Sequence, residues 1–228
     1  MLIHMKTVVI ASNNAHKAEE IAAALSFPGW EFRTLRQLGL ESNPAEDAGT
    51  FEGNARIKAR AAREASGGMA VLADDSGLEV DALQGAPGVY SARYAGDEAT
   101  DADNNAKLLA ALADVPDERR TARFACTLVF IDEDGEESVA CGTVEGRIGR
   151  EGRGEHGFGY DPLFLPDVFD DGRTLAEALP HEKNAVSHRG GALRALRAQL
   201  QRRDRDEGRF GESDGIDESA ITATTLLL

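Results

Sequence analysis

The feature that most restricts the fold is a pair of long β-prone runs joined by a tight turn. Residues 123–132 and 138–148 are rich in apolar and β-branched side chains, and Asp134-Gly135 lies between them. An Asp-Gly pair between two such runs is typical of a two-residue β-hairpin turn. The sequence therefore predicts two long antiparallel strands in the second half of the chain.

The N-terminal region predicts a different unit. Residues 7–11 form a short β-branched run, Ser12-Asn13-Asn14 interrupts it, and residues 17–25 have helical spacing, with a second strand expected at 30–35. A strand, a polar turn and a helix in this order are typical of an α/β protein.

Further elements are predicted between and after these regions. Two glycine-containing segments are read as breaks: Ser76-Gly77 within an apolar stretch, and the loop at 146–159. The expected elements are a helix at 50–65 capped by Thr50, strands at 69–73 and 78–83, a helix starting at Thr100 and a final helix at 187–200. We expect one domain over residues 1–201 and a charged, disordered tail over 202–228.

Composition excludes several classes of protein. The 228 residues carry a formal net charge of −15, which argues against a sequence-independent nucleic-acid binder. No apolar run approaches the ~20 residues of a membrane span. Cys126 and Cys141 are too few for a disulfide framework and fit a reducing cytoplasm. The two-residue turn would place Cys126 opposite Thr143 and Cys141 opposite Leu128, with both thiols on one face.

Two polar clusters follow predicted strands and point to phosphate and metal chemistry. The segment Ser12 to Lys17 lies where a strand meets a helix, and the N–H groups of a helix start favour anions. Asp74-Asp75-Ser76-Gly77 follows a buried strand, where α/β proteins commonly bind ligands. Since strand side chains alternate, both aspartates would reach one pocket only if the chain turned at Ser76-Gly77. An Asx turn and an acidic surface turn remain the alternatives.

Two weaker clusters complete the candidate site. Glu46-Asp47 precedes the helix at 50–65 and could supply a further metal ligand, with Arg56 and Lys58 available for phosphate, or it could belong to a solvated face. Phe158-Gly159-Tyr160-Asp161 offers a ring that could stack on a base. Lys183, with His188-Arg189, offers donors for a keto oxygen, although core packing is an equal alternative for each residue.

Taken in order, these segments resemble the non-standard purine nucleoside triphosphate pyrophosphatases, the Ham1/RdgB-like inosine/xanthosine triphosphate pyrophosphatase family. The resemblance spans residues 7–200. It rests on the segments Ala11 to Lys17, Thr50 to Ala55, Leu72 to Leu78, Gly85 to Tyr94, Phe158 to Pro162, and Lys183 with Ser187 to Arg189.

The resemblance implies an elongated α/β fold in which a long, bent mixed sheet separates two lobes, with the active site in the cleft between them. It also implies a homodimer that hydrolyses ITP, dITP and XTP to the monophosphate and pyrophosphate with Mg²⁺. The substrate is then a small molecule, and neither nucleic acid nor membrane is a partner.

Site residues can be transferred only by motif position. The resemblance implies that Asp75 is catalytic and binds the metal, with Glu46 as second ligand; a one-residue gap would choose Asp47 instead. Lys17 would hold the departing pyrophosphate, with Lys58 as a second candidate. The substrate-binding positions would be Ser12, Asn13, Asn14, Ala15, His16, Lys17, Ser76, Phe158, Gly159, Tyr160, Asp161, Lys183, His188 and Arg189.

Asn13 stands where family members often carry glycine, so the backbone of this turn is expected to differ in detail.

Two other functions are alternatives to the pyrophosphatase. A Maf-like pyrophosphatase would favour pyrimidine or modified nucleotides, but the base-recognition segments from Phe158 to Arg189 argue against it. A sensor that binds without hydrolysis would be expected to have a damaged metal site, yet Glu46, Asp74 and Asp75 are present.

Overall fold

A mixed six-stranded sheet forms the frame of the computed structural model, which describes residues 5–12, 14, 17, 18, 21 and 29–206. The sheet order in this part of the chain is β2-β1-β3-β4-β5-β6. Strand β1 runs parallel to β2 and β3, and the pairs from β3 to β6 are antiparallel. The strands are β1 Lys6–Ala11, β2 Trp30–Thr34, β3 Ala70–Val80, β4 Thr121–Ile131, β5 Glu137–Ile148 and β6 Phe164–Pro166.

Four α-helices with described bounds pack on this sheet. They are α1 Phe51–Ala65, α2 Asp101–Ala111, α3 Pro180–Val186 and α4 His188–Asp206. Thr50 caps α1 as predicted, because its hydroxyl accepts from Gly53 N. Short 3₁₀ turns occur at Arg36–Leu38, Asp81–Leu83, Gly88–Arg93 and Asp117–Arg119. None of the described helices is both long and apolar enough to cross a bilayer.

The ends of the chain lie largely outside the described residues. Of the helix predicted at 17–25, Lys17, Ala18 and Ile21 are helical, and the other positions are not described. Helix α4 continues to Asp206, six residues beyond its predicted end. The predicted tail from residue 207 onward also lies outside the described residues, so its disorder stays a prediction.

The predicted break at Ser76-Gly77 is wrong, because β3 is one continuous strand of 11 residues. It pairs with β4 through this point, with Ser76 opposite Cys126. The glycine serves close packing instead of a turn. A Cβ on Gly77 would lie 2.4 Å from Ser91 Oγ and 2.5 Å from the Gly88 carbonyl oxygen.

The hairpin is present, but its turn is one residue longer than predicted. Asp132 N donates to the Glu136 carbonyl at 3.1 Å, which encloses a three-residue loop. Gly135 closes this loop at φ +92°, a left-handed conformation that glycine adopts without a steric penalty. Loops of three residues ending in such a glycine are the next common hairpin type after two-residue turns.

The longer loop corrects the predicted placement of the cysteines. Shifting the register by one residue changes which residues face each other, and here Cys126 pairs with Gly142 while Cys141 pairs with Thr127. The thiols therefore lie on opposite faces of the sheet, with Cys126 buried and Cys141 exposed. Both are free cysteines, as predicted.

The described residues form three apolar clusters, two around the first half of β3 and one around its second half. One face of the first half packs on α4 in a cluster that includes Leu72. The other face packs on α1 in a second cluster that includes Val71 and Ala73. The second half of β3 belongs to a third cluster through Leu78 and Val80, together with residues of α2. The polar segment Asp74 to Gly77 lies between these cores, so the cleft is positioned by the middle of one strand.

Candidate functional site

Asp74 and Asp75 point to opposite faces of β3. Because the strand does not turn at Ser76-Gly77, the condition under which both carboxylates would share a pocket is not met. Asp74 lies on the α4 side, where it contacts Arg189, and Asp75 lies on the α1 side, where it contacts Lys58. The two neighbours therefore have different surroundings.

Asp75 shares one ammonium group with Glu46. Lys58 Nζ lies 2.8 Å from Asp75 Oδ1 and 3.1 Å from Glu46 Oε2, and Asn54 Nδ2 donates to Asp75 Oδ2 at 3.3 Å. Burial raises the pKa of Asp75, more than the charge of Lys58 lowers it. Burial would lower the pKa of Lys58, but the carboxylates of Asp75, Asp74 and Glu46 raise it. Lys58 is thus held as a cation between two carboxylates.

The loop that carries Glu46 is fastened by two residues that the sequence analysis missed. Asn54 Oδ1 accepts from Ala48 N at 3.0 Å, while its Nδ2 reaches Asp75. Arg93 Nη2 donates to the Glu46 carbonyl at 3.4 Å. Both residues lie in segments that carry the family resemblance, at 50–55 and 85–94, and this membership was the sequence signal that could have identified them. Asp47, the alternative to Glu46, is exposed.

The predicted phosphate loop is described in part. Asn14 Oδ1 accepts from Lys17 N at 3.1 Å, and Ser12 Oγ lies 3.3 Å from Asn14 N, so the loop is an Asx-type turn that opens a helix. Lys17 Nζ lies 3.5 Å from Asp74 Oδ2. Asn13, Ala15 and His16 lie outside the described residues.

These elements surround a cavity of about 260 Å³. Three cations line it, Lys17, Lys58 and Arg93, and they oppose the carboxylates of Glu46 and Asp75. The other lining residues are Ala11, Ser12, Asn14, Leu35, Ser42, Asn43, Pro44, Ser76, Val89 and Ala92. A cavity with this charge pattern suits a polyanion that arrives with a cation.

Asp74 contacts residues that line this cavity and residues that line a second one. Its carboxylate accepts from Arg189 Nη2 at 3.2 Å and from Ser76 Oγ at 3.2 Å, in addition to the contact with Lys17. Its side chain is 1% exposed. Burial alone would raise the pKa of Asp74, but Lys17, Arg189 and Lys58 together hold it far below its usual range. Asp74 is therefore held as an anion between Lys17 and Arg189.

The second cavity, of about 100 Å³, contains the predicted base-recognition residues. Lys183 Nζ donates to Asp161 Oδ2 at 2.7 Å and lies 4.5 Å from the ring centroid of Phe158. Asp161 Oδ2 also accepts from Phe158 N at 2.8 Å. The lining includes Asn14, Lys17, Ser76, Phe158, Gly159, Tyr160, Asp161, Lys183, His188 and Arg189. Asn14, Lys17, Ser76 and Ala92 line both cavities, so the two are adjacent.

His188 is a neutral ring in this second cavity. Burial and the charges of Arg189, Lys17 and Lys183 lower the pKa of His188 well below its ordinary value. Its ring stacks on Phe124, with centroids 4.9 Å apart. Its Nδ1 is buried and has no hydrogen-bond partner within the described part of the chain. A buried imidazole nitrogen of this kind is suited to a ligand.

Backbone contacts that were not predicted fix the position of the second cavity. Gly142 of β5 lies under the first turn of α4, where a Cβ would come within 2.2 Å of the His188 carbonyl oxygen. From α2, Asp101 accepts from Gly159 N at 2.6 Å and Asn105 donates to the Gly159 carbonyl at 2.9 Å. The sequence carried no clear signal for these long-range contacts.

Comparison with known proteins gives a consistent set of relatives. A model of the Ham1 family matches residues 8–199. A dITP/XTP pyrophosphatase of Exiguobacterium sibiricum is 50% identical over 193 residues, which cover 85% of this chain and 96% of that protein. The dITP/XTP pyrophosphatase of Escherichia coli O157:H7 is 49% identical over 195 residues, covering 84% and 96%.

Solved structures show the same likeness. A HAM1 protein from Coxiella burnetii superposes with a TM-score of 0.78 at 42% identity, covering 87% of this chain and all of that one. A structure described as nucleoside-triphosphatase or dITP/XTP pyrophosphatase from Mycobacterium abscessus gives a TM-score of 0.68 at 45% identity, covering 85% and 98%. The fold expected from the motifs is confirmed by these neighbours.

Proposed function

Because the chain belongs to the Ham1 family, we propose that it hydrolyses dITP, ITP and XTP to the nucleoside monophosphate and pyrophosphate, which removes deaminated purines from the nucleotide pool. The observation that carries this proposal is that the two cavities share lining residues and adjoin. A cation-lined space beside Asp75 lies next to an aromatic pocket with buried donors, and a nucleoside triphosphate has a phosphate end and a base end that match them.

A divalent cation fits the residues beside Asp75. Mg²⁺ in nucleotide enzymes is commonly held by one or two carboxylates together with substrate phosphates. Asp75 and Glu46 supply two carboxylates that face the same cation, since Lys58 Nζ lies 2.8 Å from Asp75 Oδ1 and 3.1 Å from Glu46 Oε2. We propose that these two residues hold Mg²⁺. When bound, the ion supplies positive charge that offsets the phosphate charge.

Different residues of the chain have different roles in hydrolysis. Asp75 orients a water molecule towards the α-phosphorus and accepts its proton, a contribution typically worth about 10²–10⁴-fold. The new bond forms between this water oxygen and the α-phosphorus, and the bond to the α–β bridging oxygen breaks. Lys17 and Lys58 line the space for the departing pyrophosphate and stabilise its charge.

Base selection rests on the donors of the second cavity. Hypoxanthine presents O6 as an acceptor, whereas adenine presents an amino group at the same position. Lys183 and Arg189 are buried donors whose own anions, Asp161 and Asp74, fix their positions. An adenine amino group facing these donors leaves polar groups unpaired, at about 1–3 kcal/mol for each lost contact. The cavity therefore selects keto purines.

The decisive experiment measures pyrophosphate release from ITP, dITP, XTP, ATP, GTP and UTP, with Mg²⁺ and with a chelator. We expect release from the first three, little release from ATP and UTP, and loss of activity with the chelator. If no divalent ion supports pyrophosphate release from ITP, the proposal is contradicted. UTP hydrolysis in preference to ITP would favour a Maf-like enzyme.

Asp75→Asn tests the catalytic role directly. The amide cannot accept the proton of the attacking water, so we expect turnover to fall by at least about 10²-fold while ITP binding stays measurable by calorimetry. A variant with near-normal rate would remove Asp75 from the mechanism. Asp47→Asn is the matched control, because Asp47 is an exposed carboxylate in the neighbouring loop and is expected to leave the rate unchanged.

The proposal further includes a homodimer and a cytoplasmic location. The dimer follows from the family resemblance, and the location follows from the two free cysteines, which fit a reducing compartment. Sedimentation of the purified chain would test the dimer.

A further inference from the structure

Arg93 occupies a distinctive position in the first cavity. It ends the 3₁₀ turn Gly88–Arg93 and lines the same space as Lys17, Lys58 and Asp75. This turn is locked onto β3, since Ser91 Oγ accepts from Leu78 N at 2.9 Å and donates to the Gly88 carbonyl at 2.6 Å. The guanidinium therefore projects from a rigid support and not from a loose loop.

The charge environment of Arg93 differs from that of the other two cations. Lys17 has the carboxylate of Asp74 at 3.5 Å, and Lys58 has those of Asp75 and Glu46. Within the described part of the chain, Arg93 has no carboxylate within ion-pair distance. Its contacts are the Glu46 carbonyl and the ring of Tyr90, whose centroid lies 5.2 Å from Arg93 Cζ.

The half-buried guanidinium of Arg93 therefore has donors that no carboxylate of the described residues occupies. Its contact with the Tyr90 ring restricts the side chain while leaving donors available, which lowers the cost of ordering it around a ligand. Guanidinium groups bind phosphate through two parallel hydrogen bonds, and Arg93 lines the first cavity but not the second, so it suits a phosphoryl group in the first cavity.

We propose that Arg93 binds the β- and γ-phosphates of the substrate, and hence the departing pyrophosphate. This inference rests on the proposed function and adds a recognition residue to that site. The base and the α-phosphate are held by the second cavity and by the metal site, so Arg93 discriminates triphosphate from monophosphate. Arg93 therefore contributes to binding of the pyrophosphate part of the substrate, which leaves in the reaction.

The test compares two products as separate ligands. Arg93→Gln is titrated by calorimetry with pyrophosphate and with inosine monophosphate, each in saturating Mg²⁺. We expect the Kd for pyrophosphate to rise about 10-fold or more and the Kd for inosine monophosphate to change less than about twofold. Arg93→Lys keeps the charge but not the paired donors, so it should fall between the wild type and Arg93→Gln.

Arg119→Gln is the control for net charge, because Arg119 is exposed in another 3₁₀ turn. It should leave both affinities unchanged. An equal change for the two products in Arg93→Gln, or no change in either, would overturn the proposal. A shift only in the Mg²⁺ concentration needed for activity would also overturn it, because it would reduce Arg93 to a support for the Glu46 loop.

These outcomes are distinguishable from failure of the proposed function. Wild-type hydrolysis of ITP tests the function alone. The binding titrations require no turnover, so they remain informative about Arg93 whatever the substrate ranking.

Discussion

Replacing Asp74 by asparagine tests whether this carboxylate holds the two halves of the site together. The change removes the anion between Lys17 and Arg189, and it leaves a buried Arg189 and a partly buried Lys17 without this partner. An asparagine oxygen could still accept from Arg189, but its amide would then lie where Asp74 Oδ1 is buried with no partner in the described residues. The variant would therefore contain uncompensated charge and unpaired donors.

The magnitude follows from burial. Removing one partner of a buried ion pair costs about 3–5 kcal/mol, and for a chain of this length each kcal/mol lowers Tm by about 2–4 °C. We expect Asp74→Asn to unfold about 6–20 °C below the wild type at pH 7. Asp117→Asn is the control, because the Asp117–Arg150 pair is 2.7 Å long but exposed, and such pairs contribute at most about 1 kcal/mol.

The pH dependence gives a second readout of the same charge. The folded-state pKa of Asp74 lies far below its usual range, so the ionised group stabilises the fold at pH values above about 4, its unfolded pKa. This stability is lost as the pH falls towards the folded-state pKa. The difference in unfolding free energy between wild type and Asp74→Asn should therefore shrink below about pH 4.

The assays are urea unfolding across pH and steady-state kinetics with ITP and ATP. We expect Asp74→Asn to raise KM for ITP and to weaken the preference for ITP over ATP, because Lys17 and Arg189 lose their shared anchor. A variant within about 1 kcal/mol of the wild type at pH 7, with unchanged selectivity, would refute the reasoning. It would mean that other groups neutralise the charges of Lys17 and Arg189 when Asp74 is removed.

Two further substitutions test base selection. Lys183→Ala should narrow the ITP-over-ATP ratio of kcat/KM by about 10-fold or more, because it removes a buried charged donor, and an unchanged ratio would place discrimination elsewhere. Gly142→Ala should lower the same ratio and Tm together, since its methyl group would displace the first turn of α4, which carries His188 and Arg189. Gly39→Ala is the control for the second change. No atom lies within 4 Å of its new methyl group, and its φ of +67° adds backbone strain that does not reach the site.

Much of the fold could be predicted because local patterns coincide with it. The β-branched run before Ser12, the Thr50 cap and the two runs around Asp134-Gly135 each define an element through neighbouring residues alone. The hairpin register could not be fixed in the same way. Asp132 and Gly135 extend the loop by one residue, and this single step decides which face holds Cys126.

The break predicted at Ser76-Gly77 was wrong for a related reason. A serine and a glycine within an apolar stretch favour a turn locally, but pairing with β4 keeps the strand extended through both residues. Gly77 is required by the approach of Ser91 and Gly88, which are distant along the chain. Close approach between segments leaves no periodic signal in the sequence, and the same holds for Gly142 and for the contacts of Asp101.

The continuous strand also explains how two adjacent aspartates acquire different chemistry. Alternation along β3 turns Asp74 towards Lys17 and Arg189, where it stays ionised, and turns Asp75 towards the first cavity, where burial raises its pKa. A group held far below its usual pKa is a poor proton acceptor but a stable anchor, whereas one with a raised pKa accepts protons more readily. Had the chain turned at Ser76, both carboxylates would have shared one set of cations and this division would be lost. Under the proposed mechanism, the straight path of β3 separates the anchoring carboxylate of Asp74 from Asp75, the proposed base.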